Sequence, residues 1–142
     1  MTRDLARPVA LALIRRNDEI LVFEVPDPVK GVTGWRLPGG TIEFGERGRE
    51  TVVREIREEL DVEIVDTGYL GTVENIFTYL GVEGHQLVRV YEVRFADPAL
   101  YQRDHFECVE ANGIRFTCVW KPIAEFGERA PLYPDGLLEL IR

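Results

Sequence analysis

The fold is decided by residues 39–62, Gly39-Gly40-Thr41-Ile42-Glu43-Phe44-Gly45-Glu46-Arg47-Gly48-Arg49-Glu50-Thr51-Val52-Val53-Arg54-Glu55-Ile56-Arg57-Glu58-Glu59-Leu60-Asp61-Val62. Val52, Val53, Ile56 and Leu60 fall within roughly 100° of arc at helical pitch, so the spacing predicts an amphipathic helix over about 47–60 with one face toward a core. Glu55, Glu58 and Glu59 are related by i,i+3 and i,i+4 steps and share a second arc at the margin of that stripe. Like charges so placed repel by about 0.2–0.5 kcal/mol per pair on an isolated helix. A cation would relieve that repulsion, and three convergent carboxylates are the hard oxygen donors that magnesium and manganese prefer. The competing account is a solvated face, supported by the i,i+4 pairs Glu50–Arg54 and Arg54–Glu58. Gly39 and Gly40, just ahead of the helix, favour the first account, because glycine lets backbone carbonyls approach a ligand closely.

Working outward, residues 8–15 and 19–25 are apolar and β-branched, and the turn signal Asn17-Asp18 between them predicts a strand pair. Residues 26–34, with two prolines and two glycines, read as a loop. Beyond the helix, 66–80 and 85–96 read as long strands joined through Gly81-Val82-Glu83-Gly84, and 114–120 as a further strand. A short helix is expected over 135–141, after Pro134. Strands on both sides of a central amphipathic helix imply a mixed sheet with helices packed on it, an α/β (α+β) class. With no repeat, low-complexity tract or linker, residues 1–142 read as one domain.

Composition narrows the function classes. The 142 residues are 45% apolar and 30% charged, an ordinary globular balance. The apolar run Val9–Ile14 is far too short to span a membrane or form a signal-peptide core, so no membrane partner and a cytoplasmic location are expected. Cys108 and Cys118 lack a CxxC spacing and a histidine pair, which makes them free thiols; Cys118 alternates with Ile114, Phe116 and Trp120 as an inward strand residue would. A net charge of −8 argues against a nucleic-acid polymer as partner. Half of that charge comes from Glu43–Glu63, where eight carboxylates face four arginines. A small phosphorylated ligand fits such a surface only with metal ions between the two.

The run Gly40, five residues, Glu46, seven residues, Arg54-Glu55-Ile56-Arg57-Glu58-Glu59-Leu60-Asp61-Val62 closely resembles the signature box of the Nudix hydrolases, and Trp35-Arg36-Leu37-Pro38-Gly39-Gly40 resembles the usual approach to it. One defined position departs: Asp61 stands where the family has glycine. A left-handed backbone there suits glycine, and aspartate is among the few other residues that adopt it, so the departure implies a modest local cost. The resemblance implies an α/β/α sandwich over almost the whole chain. It also implies hydrolysis of a nucleoside diphosphate linked to another moiety, with Mg2+ or Mn2+ as cofactor. Carried over by position, Glu58 and Glu59 are the main metal ligands, with the carbonyl of Gly39. Glu55 ligates a metal or helps deprotonate the attacking water. Arg54 orients the box carboxylates, while Gly40 and Glu46 shape the loop before the helix. One further acid from a later loop is expected, with Asp104, Glu107 and Glu110 as candidates and Glu107 and Glu110 favoured.

Substrate choice is less legible. Tyr79, 17 residues after the box, resembles a marker of the dinucleoside-polyphosphate branch, whereas Phe77 stands where the ADP-ribose branch has proline. The substrate is therefore expected to be a small nucleotide-like molecule, a nucleoside triphosphate or dinucleoside polyphosphate ahead of ADP-ribose or a nucleotide sugar. Arg36, Arg89 and Arg115 are candidate phosphate ligands, with Arg89 singled out because it interrupts a strand run. Trp35, Phe77 and Trp120 are candidate base stackers, although aromatics in strands usually serve the core. A catalytically silent nucleotide-binding or regulatory module is the alternative, and a homodimer is compatible with the family resemblance.

Overall fold

The computed structural model describes residues 5–142. The apolar run seen in the sequence becomes the central strand β1 (Arg7–Arg16), in which Val9 to Ile14 are all buried. Burial on both faces requires that layers lie on either side of it, and they do. Ala10, Ala12 and Ile14 join one core cluster with Val52, Ile56 and Leu60 of α1 (Gly48–Leu60); Val9, Leu11 and Leu13 join a second with Leu137 and Ile141 of α2 (Leu137–Ile141). The architecture is a helix–sheet–helix sandwich around a mixed, curled sheet, as the residue pattern and the family resemblance implied.

β1 leaves through a turn at Asn17, whose φ is 57°, into β2 (Glu19–Asp27). β2 runs antiparallel to β3 (Val32–Arg36), and the short β4 (Gly39–Thr41) returns antiparallel to the first half of β1. After α1 come β5 (Ile64–Tyr79) and β6 (Val82–Phe95), a long antiparallel hairpin whose second strand lies parallel to β1. β7 (His105–Val109) and β8 (Arg115–Pro122) add to β2, and β9 (Leu132–Tyr133) to β3. Because β1 pairs with β4 along its first half and with β2 only at Arg15 and Arg16, the sheet splits and curls, leaving α1 in the concavity.

Several details differ from the sequence expectation, among them the unforeseen strand β7. The stretch 26–34 is mostly strand, closed by Gly31 at φ 70°. The hairpin turn sits at Leu80-Gly81, both left-handed (φ 51° and 80°), one step ahead of the tetrad that reads as a turn. Ile114 is 59% exposed at the edge of β8, so the inward alternation begins at Phe116. Cys108 and Cys118 are buried and free. Among the described residues no helix is long and apolar enough to cross a membrane.

Candidate active site

α1 carries its acids where the sheet opens. Its buried stripe is Val52, Ile56 and Leu60, with Val53 half-buried, and Glu55 and Glu59 lie at the edge of that stripe while Glu58 points to solvent. The helix ends at Asp61 in the left-handed region (φ 57°, ψ 41°), its N–H donating to the Arg57 carbonyl. The departure from glycine is thus accommodated without altering the helix terminus.

Arg54 organises the group. Its Nε and Nη2 donate to the two oxygens of Glu46 at 2.7 and 2.9 Å, a bidentate pair that fixes the loop against the helix. Nη1 reaches Glu55 at 3.0 Å and Glu58 at 3.3 Å, and Nη2 also reaches the Thr41 carbonyl at 3.2 Å. Glu46 accepts in addition from the Thr51 hydroxyl at 2.7 Å and the Glu43 N–H at 3.2 Å. With the Arg54 guanidinium foremost and Thr51 supporting it, the Glu46 carboxyl is held down at about 2. Thr51, the one buried polar residue among those described, escapes a sequence reading because its partner is in the preceding loop. Of the two i,i+4 pairs expected on the helix, Arg54–Glu58 forms; Glu50 instead accepts from the Arg47 N–H at 2.8 Å and caps the helix.

Glu55 and Glu59 behave differently. Glu55 lies against the backbone of Gly40: a Cβ at that glycine would sit 2.5 Å from its carboxylate carbon. Gly39, with φ 150°, passes the Ala10 carbonyl so closely that a Cβ would meet that oxygen at 2.2 Å. Burial raises the pKa of the Glu55 carboxyl from its ordinary value, against the opposing pull of Arg54. Glu59, beside it, is pushed up to about 8 by burial first and then by the neighbouring charge of Glu55. One oxygen of Glu59 is out of contact with solvent and has no hydrogen-bond partner among the described residues. A buried acceptor left in this way is costly, and a cation is the partner its chemistry calls for. Among the described residues no three His, Cys, Asp or Glu side chains already converge at metal distance; Glu58 is paired with Arg54 at 3.3 Å.

Strand alternation sorts the later acids. On β7, Phe106 and Cys108 are buried and Glu107 points outward, 3.4 Å from the Thr117 hydroxyl and 3.6 Å from His105. Glu110, one step past the strand and in phase with the buried residues, is half-buried and close enough to Glu59 to raise its pKa. Asp104 is exposed ahead of β7. On β3, Arg36 is the cross-strand partner of Phe23, and Phe23 of Cys118, which puts Arg36 on the face that α1 covers. Burial depresses the Arg36 guanidinium, and the charge of Glu110 opposes that. Glu110 is thus felt electrostatically by both Glu59 and Arg36.

Three other candidates lie elsewhere. Tyr79 sits at the end of the β5–β6 hairpin, its hydroxyl 3.4 Å from the Pro26 carbonyl. Arg89 lies near the first turn of α1, its guanidinium 4.4 Å over the Tyr69 ring. Arg115 is exposed at the start of β8. The aromatics serve packing: Trp120 lies among Phe95, Tyr101 and Phe106, and Phe77 closes over Gly84.

Comparison with known proteins bears on the fold and the family. A protein of Mycobacterium tuberculosis that carries the provisional name 8-oxo-dGTP diphosphatase 2 is 30% identical over 97 residues, covering 68% of this chain and 67% of that one. The NAD-capped RNA hydrolase NudC of Pseudomonas aeruginosa is 38% identical over 65 residues; the match spans 46% of this chain and only 23% of that protein's length. Among solved structures, the MutT NUDIX hydrolase of Burkholderia pseudomallei superposes with a TM-score of 0.71 at 26% identity, covering 98% of this chain and 100% of the other. A NUDIX domain profile matches residues 5–136, from the start of the described sheet to the threshold of α2, with the carboxylate helix inside it; the chain belongs to the NUDIX family.

Proposed function

We propose that the chain is a magnesium- or manganese-dependent pyrophosphohydrolase that cuts a phosphoanhydride bond in a nucleoside diphosphate linked to another moiety. The observation that carries this reading is Glu59, a half-buried carboxyl with an unpartnered oxygen, placed beside Glu55 and within reach of Glu110. A carboxyl placed so that it must either keep a proton or gain a cation suits metal binding, and the all-oxygen donor set suits a hard divalent ion. Glu55, Glu58, Glu59 and the Gly39 carbonyl would hold that ion, with Glu110 rather than Glu107 as the further acid. When bound it would neutralise phosphate charge and lower the pKa of a coordinated water.

The chain's own side chains do the rest. Arg54, locked on Glu46, limits the positions that Glu55 and Glu58 can take. Glu55, pressed against Gly40 with a raised pKa, is suited to accept a proton from an attacking water. Arg36, on the sheet face that α1 covers, can hold a phosphate oxygen of the substrate. A nucleoside triphosphate or a dinucleoside polyphosphate is the substrate class we favour over ADP-ribose and nucleotide sugars. The diphosphatase named among the relatives supports the triphosphate arm.

The test is a phosphate-release screen with Mg2+ or Mn2+ and auxiliary pyrophosphatase or phosphatase. Its panel holds nucleoside triphosphates, dinucleoside polyphosphates, ADP-ribose and nucleotide sugars, with Glu59→Gln as control. Metal-dependent turnover that the control lacks is the expected result. A silent panel from folded, metal-binding protein would favour a binding module instead.

A further inference from the structure

A second charged site lies at the opposite end of α1. There a cavity of about 370 Å³ is lined by Arg47, Gly48, Arg49, Tyr69, Arg89 and Tyr91. Thr67 also lines it; in a chain of net charge −8, three of its lining side chains are cationic, and among the described residues no acid lines it. Gly48 and Glu55 are seven residues apart on the helix, about 10 Å along its axis, so this cavity is distinct from the carboxylate cleft.

Arg89 is the built element. It belongs to the sheet face that packs under α1, in phase with Tyr91, Val93 and Phe95, where the fold otherwise places apolar side chains. Its guanidinium is held flat, stacked 4.4 Å over the Tyr69 ring and donating from Nε to the Tyr91 hydroxyl at 3.1 Å. Tyr69 and Tyr91 are themselves in ring contact at 5.7 Å. Tyr91 reaches this position only because residue 48 is glycine, since a Cβ there would lie 2.3 Å from the tyrosine oxygen. Neither tyrosine neutralises the charge, and among the described residues the terminal nitrogens of Arg89 find no acceptor. Among the described residues Arg49 makes no ion pair, and Arg47 has only a 3.9 Å contact with exposed Glu50. Arg47 and Arg49 also begin α1 at the end where its dipole disfavours cations. Three guanidiniums with so little local compensation, one of them fixed as a planar fork, match the oxygens of a phosphoryl group.

We infer that this cavity is a second phosphate-binding site, taking a phosphoryl or pyrophosphoryl anion remote from the carboxylate cleft. That anion is either a distal phosphate of a bound nucleotide or a free inorganic anion. The inference is independent of the hydrolase reading, because the binding can be measured without divalent ions.

The experiment is calorimetric titration of inorganic pyrophosphate into the full chain in EDTA. Saturable one-to-one binding is expected, weakened at least tenfold in Arg89→Gln and in Arg49→Gln and unchanged in Glu59→Gln. Arg49 is exposed and unpaired, so its replacement tests the site even if Arg89→Gln fails to fold. Absence of saturable binding by the parent protein, or affinity unchanged in Arg49→Gln, would overturn the inference. Steady-state kinetics then separates the two sources. A raised KM at constant kcat in Arg49→Gln assigns the site to the nucleotide's own phosphates, and an unchanged KM with lost pyrophosphate binding assigns it to the free anion.

Discussion

The two ends of α1 are opposite in charge and alike in strategy. The last turns carry Glu55, Glu58 and Glu59, and the first turn carries Arg47 and Arg49 with Arg89 beneath. A helix optimised only for stability would place acids at its start and bases at its end. Glu50 and Arg57 follow that rule, while the residues facing the two cavities break it. The difference between the ends lies in local compensation. Arg54 neutralises much of the acidic end through Glu46, Glu55 and Glu58, leaving Glu59 as the unpartnered member, whereas the basic end is braced by neutral tyrosines and keeps its charge. Both ends carry charge that a ligand of opposite sign would complete.

The largest effect should come from Glu59→Gln, which tests whether that unpartnered carboxylate is functional. A fall in kcat of roughly 10²–10³-fold is expected if it holds the ion that stabilises phosphate charge. In EDTA the same variant should melt no lower than the parent, because a buried carboxyl is exchanged for a neutral amide. A lower melting point together with full activity would remove the distinction between the two ends.

Arg54→Gln is expected next in size, with a loss of about 1–3 kcal/mol, since hydrogen bonds to charged partners are worth that much and Glu46 would be left half-buried without its cation. Urea denaturation measures it, and the loss should shrink at low pH, where the freed carboxylates protonate.

A third test is titration of stability. Glu59 has its pKa raised in the folded chain, from the ordinary value near 4.5 to about 8. The folded state therefore binds more protons than the unfolded one between those limits, so the contribution is fully present below the lower value and is lost as pH rises through the upper. Glu46 acts in the other direction: its contribution is present above about 4.5 and is lost as pH falls toward about 2. In EDTA the melting temperature should decline from about pH 5 to above pH 8, and Glu59→Gln should flatten that decline. Added Mg2+ should flatten it too, by replacing the proton. A decline identical in Glu59→Gln would assign it to other groups.

The smallest effect is expected at the helix terminus, where Asp61→Gly should gain up to about 1 kcal/mol by relieving a left-handed non-glycine residue. Activity should be unchanged, which would show that the departure from the family's glycine is local.

How much of this was legible in the sequence follows from how local each signal is. The box helix, its buried stripe and its carboxylate arc lie within 23 residues and are set by helical pitch, so the sequence alone places them. β7 was missed because His105, Glu107 and Cys108 dilute an alternation that only burial of Phe106 and Cys108 makes plain. Without that strand, Glu107 and Glu110 could not be told apart, although they lie on opposite phases of it. Arg89 was legible as an anomaly in a strand, but Tyr69 reaches it only through the antiparallel pairing of β5 with β6, and the helix start lies over it only because β6 joins the sheet beside β1. Val32, Thr33 and Gly34 read as loop because glycine and proline surround them, yet the β2 pairing recruits them into β3.

Ala10 and Ala12 lie wholly buried on the sheet face beneath α1, and they are the smallest side chains on that face of the central strand. Ala10 is also the cross-strand partner of both Arg89 on β6 and Gly40 on β4. One methyl group thus acts as a shim beneath the helix, setting the clearance of the Tyr91 end and of the Glu55 end together. A bulkier residue at position 10 would tilt or lift the whole rod, and the two sites would be detuned as a unit even though no contact of either had been altered.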